Sequence, residues 1–178
     1  KERTVGPDLG ADSIRAGAIA SALAVLLVAA FMIATYGRFG VYSVVALILN
    51  AILLIGIMSG LGATLTLPGI AGFVLTMGAA VDANVLINER IREELRRGRG
   101  IVQSIETGYK AAQGTIFDAN ITNVIAAVIM FWFGSGPIKG FAVVLTIGIV
   151  TSVFTAVTVT RLMVSLWLRR ARPQALAI

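Results

Sequence analysis

LPGIAGFVLTMGAAVDANVLIN, residues 67–88, carries a single ionisable side chain, Asp82. About 20 mostly apolar residues suffice for a helix to cross a bilayer, so this stretch is long enough to span. Its apolar residues are continuous rather than alternating, which favours a helix over a barrel strand. Pro68 falls in the first turn, where a missing N–H does little harm. Gly69, Gly72 and Gly78 let a neighbouring backbone approach closely. Beyond Asn88 the chain turns polar, and Glu93 and Arg97 stand at the i,i+4 spacing that would extend the helix. Gly98 and Gly100 then break it.

Working outward, four more stretches qualify as spans: residues 16–36, 41–59, 116–133 and 140–160, the last with an apolar pattern running on to Leu168. The expected fold is all-α and integral to a membrane, with five transmembrane helices. Residues 1–15 then end an extracytoplasmic region, 16–168 form the membrane domain, and 89–115 make a cytoplasmic helical connection within it. Residues 169–178 form a cytoplasmic tail. Orientation comes from the connections. Arg38 lies in the first; Arg90, Arg92, Arg96, Arg97, Arg99 and Lys110 lie in the third; Arg169, Arg170 and Arg172 lie in the tail. The connections between these hold only Lys139. By the positive-inside rule the basic side is cytoplasmic, the amino end outside and the carboxyl end inside. Lys1, Arg3 and Arg15 on the outer side soften the asymmetry. Trp132 and Trp167 near span ends suit interfacial anchoring. In the connection, Ile101, Ile105 and Tyr109 recur at i,i+4, as in a short helix with one apolar face for a membrane surface or a partner; the plainer reading is a solvated connector that satisfies topology.

Composition agrees. The 178 residues are 57% hydrophobic and 13% charged, about half the charge of a soluble domain, and mean hydropathy is +0.90. The net charge of +6 does not point to nucleic acid, because the cations cluster beside apolar runs instead of forming one soluble basic face. With no cysteine and no histidine, thiolate or histidine metal sites and histidine proton relays are excluded. Intramembrane proton chemistry falls to carboxylates. The polar start without an initiator methionine reads as the edge of a fragment or processed product.

Asp82 is the leading candidate. It precedes Asn88 by six residues, about 9 Å along a helix, within hydrocarbon depth. An ionised aspartate near a helix centre costs roughly 2.5–3.5 kcal/mol on insertion scales. Burial can raise a carboxyl pKa by about 3–5 units from roughly 3.9. A carboxylate exposed in turn to each side can therefore load and release protons; the plainer reading is a protonated aspartate bonding helices together. Asn84, Asn88 and Asn50 are candidates to bond the aspartate or its waters, or else to hold helices together. The Asp-Ala-Asn tripeptide returns at Asp118–Asn120, followed by Thr122 and Asn123. At the expected start of a span, Asp118 suits helix capping or contact more than proton carriage; with Asn120, Thr122 and Asn123 it is a further candidate supporting polar residue.

Three runs then carry a resemblance: LPGIAGFVLTMGAAVDANVLINERIREE at 67–94, GTIFDANITNVIAAVIMFWFGSGPIKGFAVVLTIGI at 114–149, and RTVGPDLGADSIRAG at 3–17. Together they resemble the SecD/SecF family of the resistance-nodulation-division superfamily, in its SecD branch. The resemblance implies helices 2–6 of a six-helix half, lacking the first helix and the large extracytoplasmic domain through which unfolded preprotein would be met. It implies a bacterial plasma (inner) membrane protein that uses the proton gradient to promote preprotein export, with SecF, SecYEG and YajC as partners. Protons are the coupling ion; no other cofactor, metal or enzymatic activity is implied. The family's proton-linked aspartate falls on Asp82. Ala79 stands where methionine is common and Asn88 where an aromatic residue is usual; neither removes the carboxylate.

Three other classes share part of this pattern. A proton-coupled exporter of small molecules or lipids from the same superfamily would share the Asp82 chemistry but not the long matches. An intramembrane aspartyl protease needs two carboxylates at one wet site and a Gly-x-Gly-Asp motif, which is absent. A purely structural scaffold is the third reading, and Asp82→Asn separates it from proton coupling.

Overall fold

The computed structural model describes residues 7–62, 67–171, 173, 175, 176 and 178, with side chains from Asp12 onward. The elements are α1 (Pro7–Gly60), α2 (Leu67–Arg96), α3 (Ile101–Phe133), α4 (Gly136–Phe154), a π-helical segment (Thr155–Val159) and α5 (Thr160–Ala171). Part of the 3–17 run and residues 63–66 lie outside the described residues.

Among the described residues four helices are long and apolar enough to cross a membrane, where five spans were expected: Asp12–Gly60, Leu67–Arg96, Ile101–Phe133 and Gly136–Ala171. The difference lies in α1, which joins the two expected spans 16–36 and 41–59. Its helical run is broken at Gly37, with φ 52 and ψ −120, a conformation open to glycine and costly for other residues. A Cβ on Gly40 would collide with the carbonyl oxygen of Met32 and lie 2.9 Å from Ile33 Cα. Residues eight apart in a straight helix are about 12 Å apart, so the chain folds back here. Tyr36 and Phe39, on either side of the break, are buried in the largest apolar cluster with Met32.

α3 also differs from its expected form. The short helix expected from Ile101 and the span expected from residue 116 form one uninterrupted helix. Ile105, Tyr109, Ala112 and Ile116 extend a single buried stripe along it, so neither Gly108 nor Gly114 breaks it. That stripe packs on α2 within this chain, where a membrane surface or a partner was the expectation. Ile91 backbone atoms lie 2.8–2.9 Å from where a Gly108 Cβ would be; only glycine lets the two helices approach so closely.

α4 runs alongside α2 in the same direction. Gly148 receives the side chain of Thr76, and a Cβ on Gly72 would lie 3.3 Å from the side chains of Phe141 and Val144. Small residues at both crossings allow the close approach that van der Waals packing in lipid requires. The π segment then adds a residue to the turn before α5 continues.

The charge pairing differs from the expected Glu93–Arg97 contact. Glu93 pairs with Arg90 at 2.8 Å and Arg97 with Glu94 at 2.7 Å. α2 ends at Arg96, so Arg97 leaves the helical track and turns toward Glu94. Arg99 joins the same carboxylate at 2.7 Å. The resulting clamp fixes the turn in which Gly98 takes φ 80.

Candidate functional site

α2 has two faces, and the expected site residues divide between them. Successive helical residues are rotated by about 100°. Asn84 and Asn88 therefore lie about 200° and 240° around the helix from Asp82, on its far side. Both asparagines are 2% exposed. Asn84 Nδ2 donates to the Ala80 carbonyl at 2.9 Å, and its Oδ1 accepts from Thr160 Oγ1 at 3.2 Å. Asn88 Nδ2 donates to Ser43 Oγ at 3.4 Å. Neither asparagine bonds Asp82; of the two roles considered for them, holding helices together is the one observed, with ties from α2 to α5 and to α1.

Asp82 itself is exposed on the outer side of α2, and among the described residues it makes no hydrogen bond or ion pair. Val74, Leu75 and Gly78 are exposed on the same stretch of helix. The aspartate is thus the one charge on an otherwise apolar or small-residue surface between Leu67 and Leu86.

Asp118 is not at a helix start. α3 begins at Ile101 after Gly100, which places Asp118 several turns inside the helix and removes the capping reading. It is exposed, as are Thr122 and Asn123. Asn120 is half-buried, its Nδ2 bonded to the Ile116 carbonyl at 2.7 Å. The two helices run antiparallel, with Ile91 against Gly108. Asp82 is nine residues before that contact and Asp118 ten after it, so both lie about 14–15 Å from it along the axes. The two Asp-Ala-Asn copies therefore share one depth.

Asn50 is completely buried, and neither atom of its amide has a hydrogen-bond partner among the described residues. It lies one turn from Leu47, which packs on Met77 and Ala80 of α2, and one turn from Leu54, which packs on Val144 of α4. It occupies the seam where α1 passes from one helix to the other.

The Gly37 end of this seam holds a second polar group that sequence reasoning treated only as topology signal. Tyr36 Oη donates to Glu89 Oε1 at 3.0 Å, and Arg92 bonds the same oxygen at 2.5 Å and the Thr35 carbonyl at 3.0 Å. The Arg92 guanidinium sits 4.9 Å from the Tyr36 ring centroid, a cation–π contact. These bonds tie the fold-back of α1 to α2.

With this geometry in hand, comparison with known proteins is decisive. Residues 1–170 match the family described as Protein export membrane protein SecD/SecF, C-terminal. The chain belongs to the SecD/SecF family. It is 51% identical over 178 residues to the protein translocase subunit SecD of Rhodobacter capsulatus, covering all of this chain and 32% of that protein. It is 54% identical over 166 residues to SecD of Pseudomonas aeruginosa, covering 93% of this chain and 27% of that one. A crystal structure of SecDF, a translocon-associated membrane protein from Thermus thermophilus, superposes with TM-score 0.90 at 44% identity. The match covers 94% of this chain and 24% of that one. SecDF in a super-membrane-facing form gives TM-score 0.85 at 47% identity, covering 93% and 23%. The chain spans about a third of its curated SecD relatives.

Within the SecD/SecF frame, Thr76, Ser43 and Thr160 were missed by sequence reasoning. The signal for Thr76 was available: Thr76, Ala80, Asn84 and Asn88 repeat every four residues, and all four are buried. Such a stripe marks the inner face of a helix. Thr160 and Ser43 sit on other helices, and no local spacing links them to α2.

Proposed function

We propose that this chain is the membrane unit of a proton-motive-force-coupled accessory subunit of the Sec translocon, promoting preprotein export across the bacterial inner membrane. The supporting observation is the position of Asp82: a carboxylate in the middle of an apolar span, on the outer surface of the unit, with no partner among the described residues. Left against lipid, its charge would cost roughly 2.5–3.5 kcal/mol. A second membrane half covering that face supplies protein or water in place of lipid, and SecF is the partner of fitting kind. SecYEG and YajC complete the proposed assembly, and unfolded preprotein is the substrate. Protons are the coupling ion, with no other cofactor and no enzymatic step.

In this reading α1 passes the membrane twice, its fold-back at Gly37 making the turn. The unit then has five passes, with the amino end outside and the basic connections and carboxyl end inside. The coupling energy suffices: moving one charge through 100 mV is worth about 2.3 kcal/mol, which shifts a two-state ratio about fiftyfold. The export reading is preferred to a small-molecule or lipid exporter because the family match runs through residues 1–170.

The test is gradient-driven preprotein export by vesicles carrying the full-length protein in its complex. Asp82→Asn should remove the gradient-dependent increment, a loss of about tenfold or more, while Asp82→Glu keeps part of it. An undiminished increment in Asp82→Asn would return the aspartate to a structural role.

A further inference from the structure

Lipid holds no water to bond a backbone carbonyl that loses its helical partner. A helix that reshapes inside a membrane therefore needs a substitute donor at each step. The stretch from Ile147 to Thr160 is built with such donors. Thr151 Oγ1 reaches the carbonyls of Ile147 and Gly148, each at 3.1 Å, and Ser152 Oγ donates to the Ile149 carbonyl at 2.9 Å. Thr155 Oγ1 donates to the Ser152 carbonyl at 3.1 Å. Thr151, Ser152, Thr155 and Thr160 are all buried. Hydroxyls bonded back in this way weaken and bend a helix slightly.

Thr160 shows how the substitution works. In the wide π turn its N–H bonds the Thr155 carbonyl, five residues back, and so leaves Ala156, its α-helical acceptor. Its own hydroxyl covers the Ala156 carbonyl at 2.6 Å. The same hydroxyl lies 3.2 Å from Asn84 Oδ1, so its single proton is divided between its own helix and α2. An N–H returned to Ala156 would hand the hydroxyl to Asn84 entirely.

The wide turn also sets which residues face inward. Gly148, Ser152, Ala156, Thr160 and Val164 are buried at four-residue intervals. Across that stripe a regular α-helix would drift by about 160°; the added residue takes back about 100°. The wide turn thus lies between two contacts with α2, Thr76 against Gly148 and Asn84 against Thr160.

We propose that the π segment is a movable joint. The wide turn steps from Thr155–Val159 toward Gly148 along the hydroxyl-backed carbonyls, uncovering none of them to lipid. Residues that it passes rotate by about 100°, which exchanges the side chains facing inward while both contacts with α2 hold. The joint stands whether or not Asp82 carries protons.

The test is amide hydrogen exchange of the full-length protein in its complex, in nanodiscs, read by mass spectrometry. Residues 150–160 should be protected at least about tenfold less than residues 139–146 of the same helix. Deletion of Thr158, an exposed residue of the wide turn, restores a regular helix with α5 in register and should remove that difference. Ser152→Ala with Thr155→Val takes away two substitute donors and should slow exchange at the joint about tenfold. Thr146→Val removes a hydroxyl bonded to the Ala142 carbonyl, outside the ladder, and should change exchange there by less than about twofold. Equal protection in the two stretches overturns the proposal, as does a difference that survives the Thr158 deletion. Unchanged or faster exchange in the double variant also overturns it, since the hydroxyls would then only brace one fixed helix; so does equal slowing by Thr146→Val. If the deletion variant does not assemble, the double variant, which keeps chain length and nearly keeps side-chain volume, decides alone.

Discussion

The inner and outer faces of α2 are built from similar residues and do opposite things. On the inner face Thr76, Asn84 and Asn88 are buried, and each has its bond: to the Phe73 carbonyl, to Thr160 and the Ala80 carbonyl, and to Ser43. On the outer face Asp82 has none. Polar residues that hold a bundle together are satisfied within it; a polar residue left open at the same depth is available to something else. α3 repeats the contrast along its length. Its first half is stitched to α2 by Ile105, Tyr109, Ala112 and Ile116. Its most apolar window is only 11% buried and carries Asp118, Thr122 and Asn123 outward.

The contrast can be broken from either side. The largest effect is expected at the inner crossing: Gly148→Leu forces a side chain into the space of Thr76, and overpacking costs about 1–3 kcal/mol or more. Thermal unfolding of the purified full-length protein should show a clear drop, with export lost alongside. Gly108→Leu should do the same where α2 meets α3. On the outer face, Asp82→Asn should leave thermal stability within about 0.5 kcal/mol while removing the gradient-dependent part of export. If it melts the protein instead, the two faces are not distinct. Asn84→Ala, which releases Thr160, should cost about 0.6–1.7 kcal/mol, and the double variant with Thr160→Val should cost little more than either alone. Smallest is Asn50→Leu, which replaces an unbonded amide by an apolar side chain of similar size. It should be neutral or slightly stabilising, read from the same unfolding curves.

Much of the helical frame was legible in the sequence, for a simple reason. Lipid forbids irregular exposed backbone, so apolar length alone finds residues 67–88 and 140–160 as helix. Where contacts decide, local pattern failed. The break at Gly37 falls in the connection expected between residues 36 and 41, whereas the merger of α3 depended on Gly108 sitting against Ile91, a tertiary contact. The site was half legible. Asp82 stands out as a lone charge in an apolar run. Asn84 and Asn88 had two readings, and the helical angle, which sets them on the far side from Asp82, already favours the one observed, holding helices together. Asp118 was misplaced for a related reason: its role was read from where the apolar run begins, while the helix begins 15 residues before that run, at Ile101.

Asn50 has a consequence for how the unit moves. Its amide is sealed between α1, α2 and α4 with both polar atoms empty-handed, which costs about 1–3 kcal/mol in this packing. Parting the seam by the width of a water molecule would refund that energy. The closed arrangement is therefore held less firmly than its many apolar contacts suggest, and the first place for it to yield is beside the helix that carries the acid.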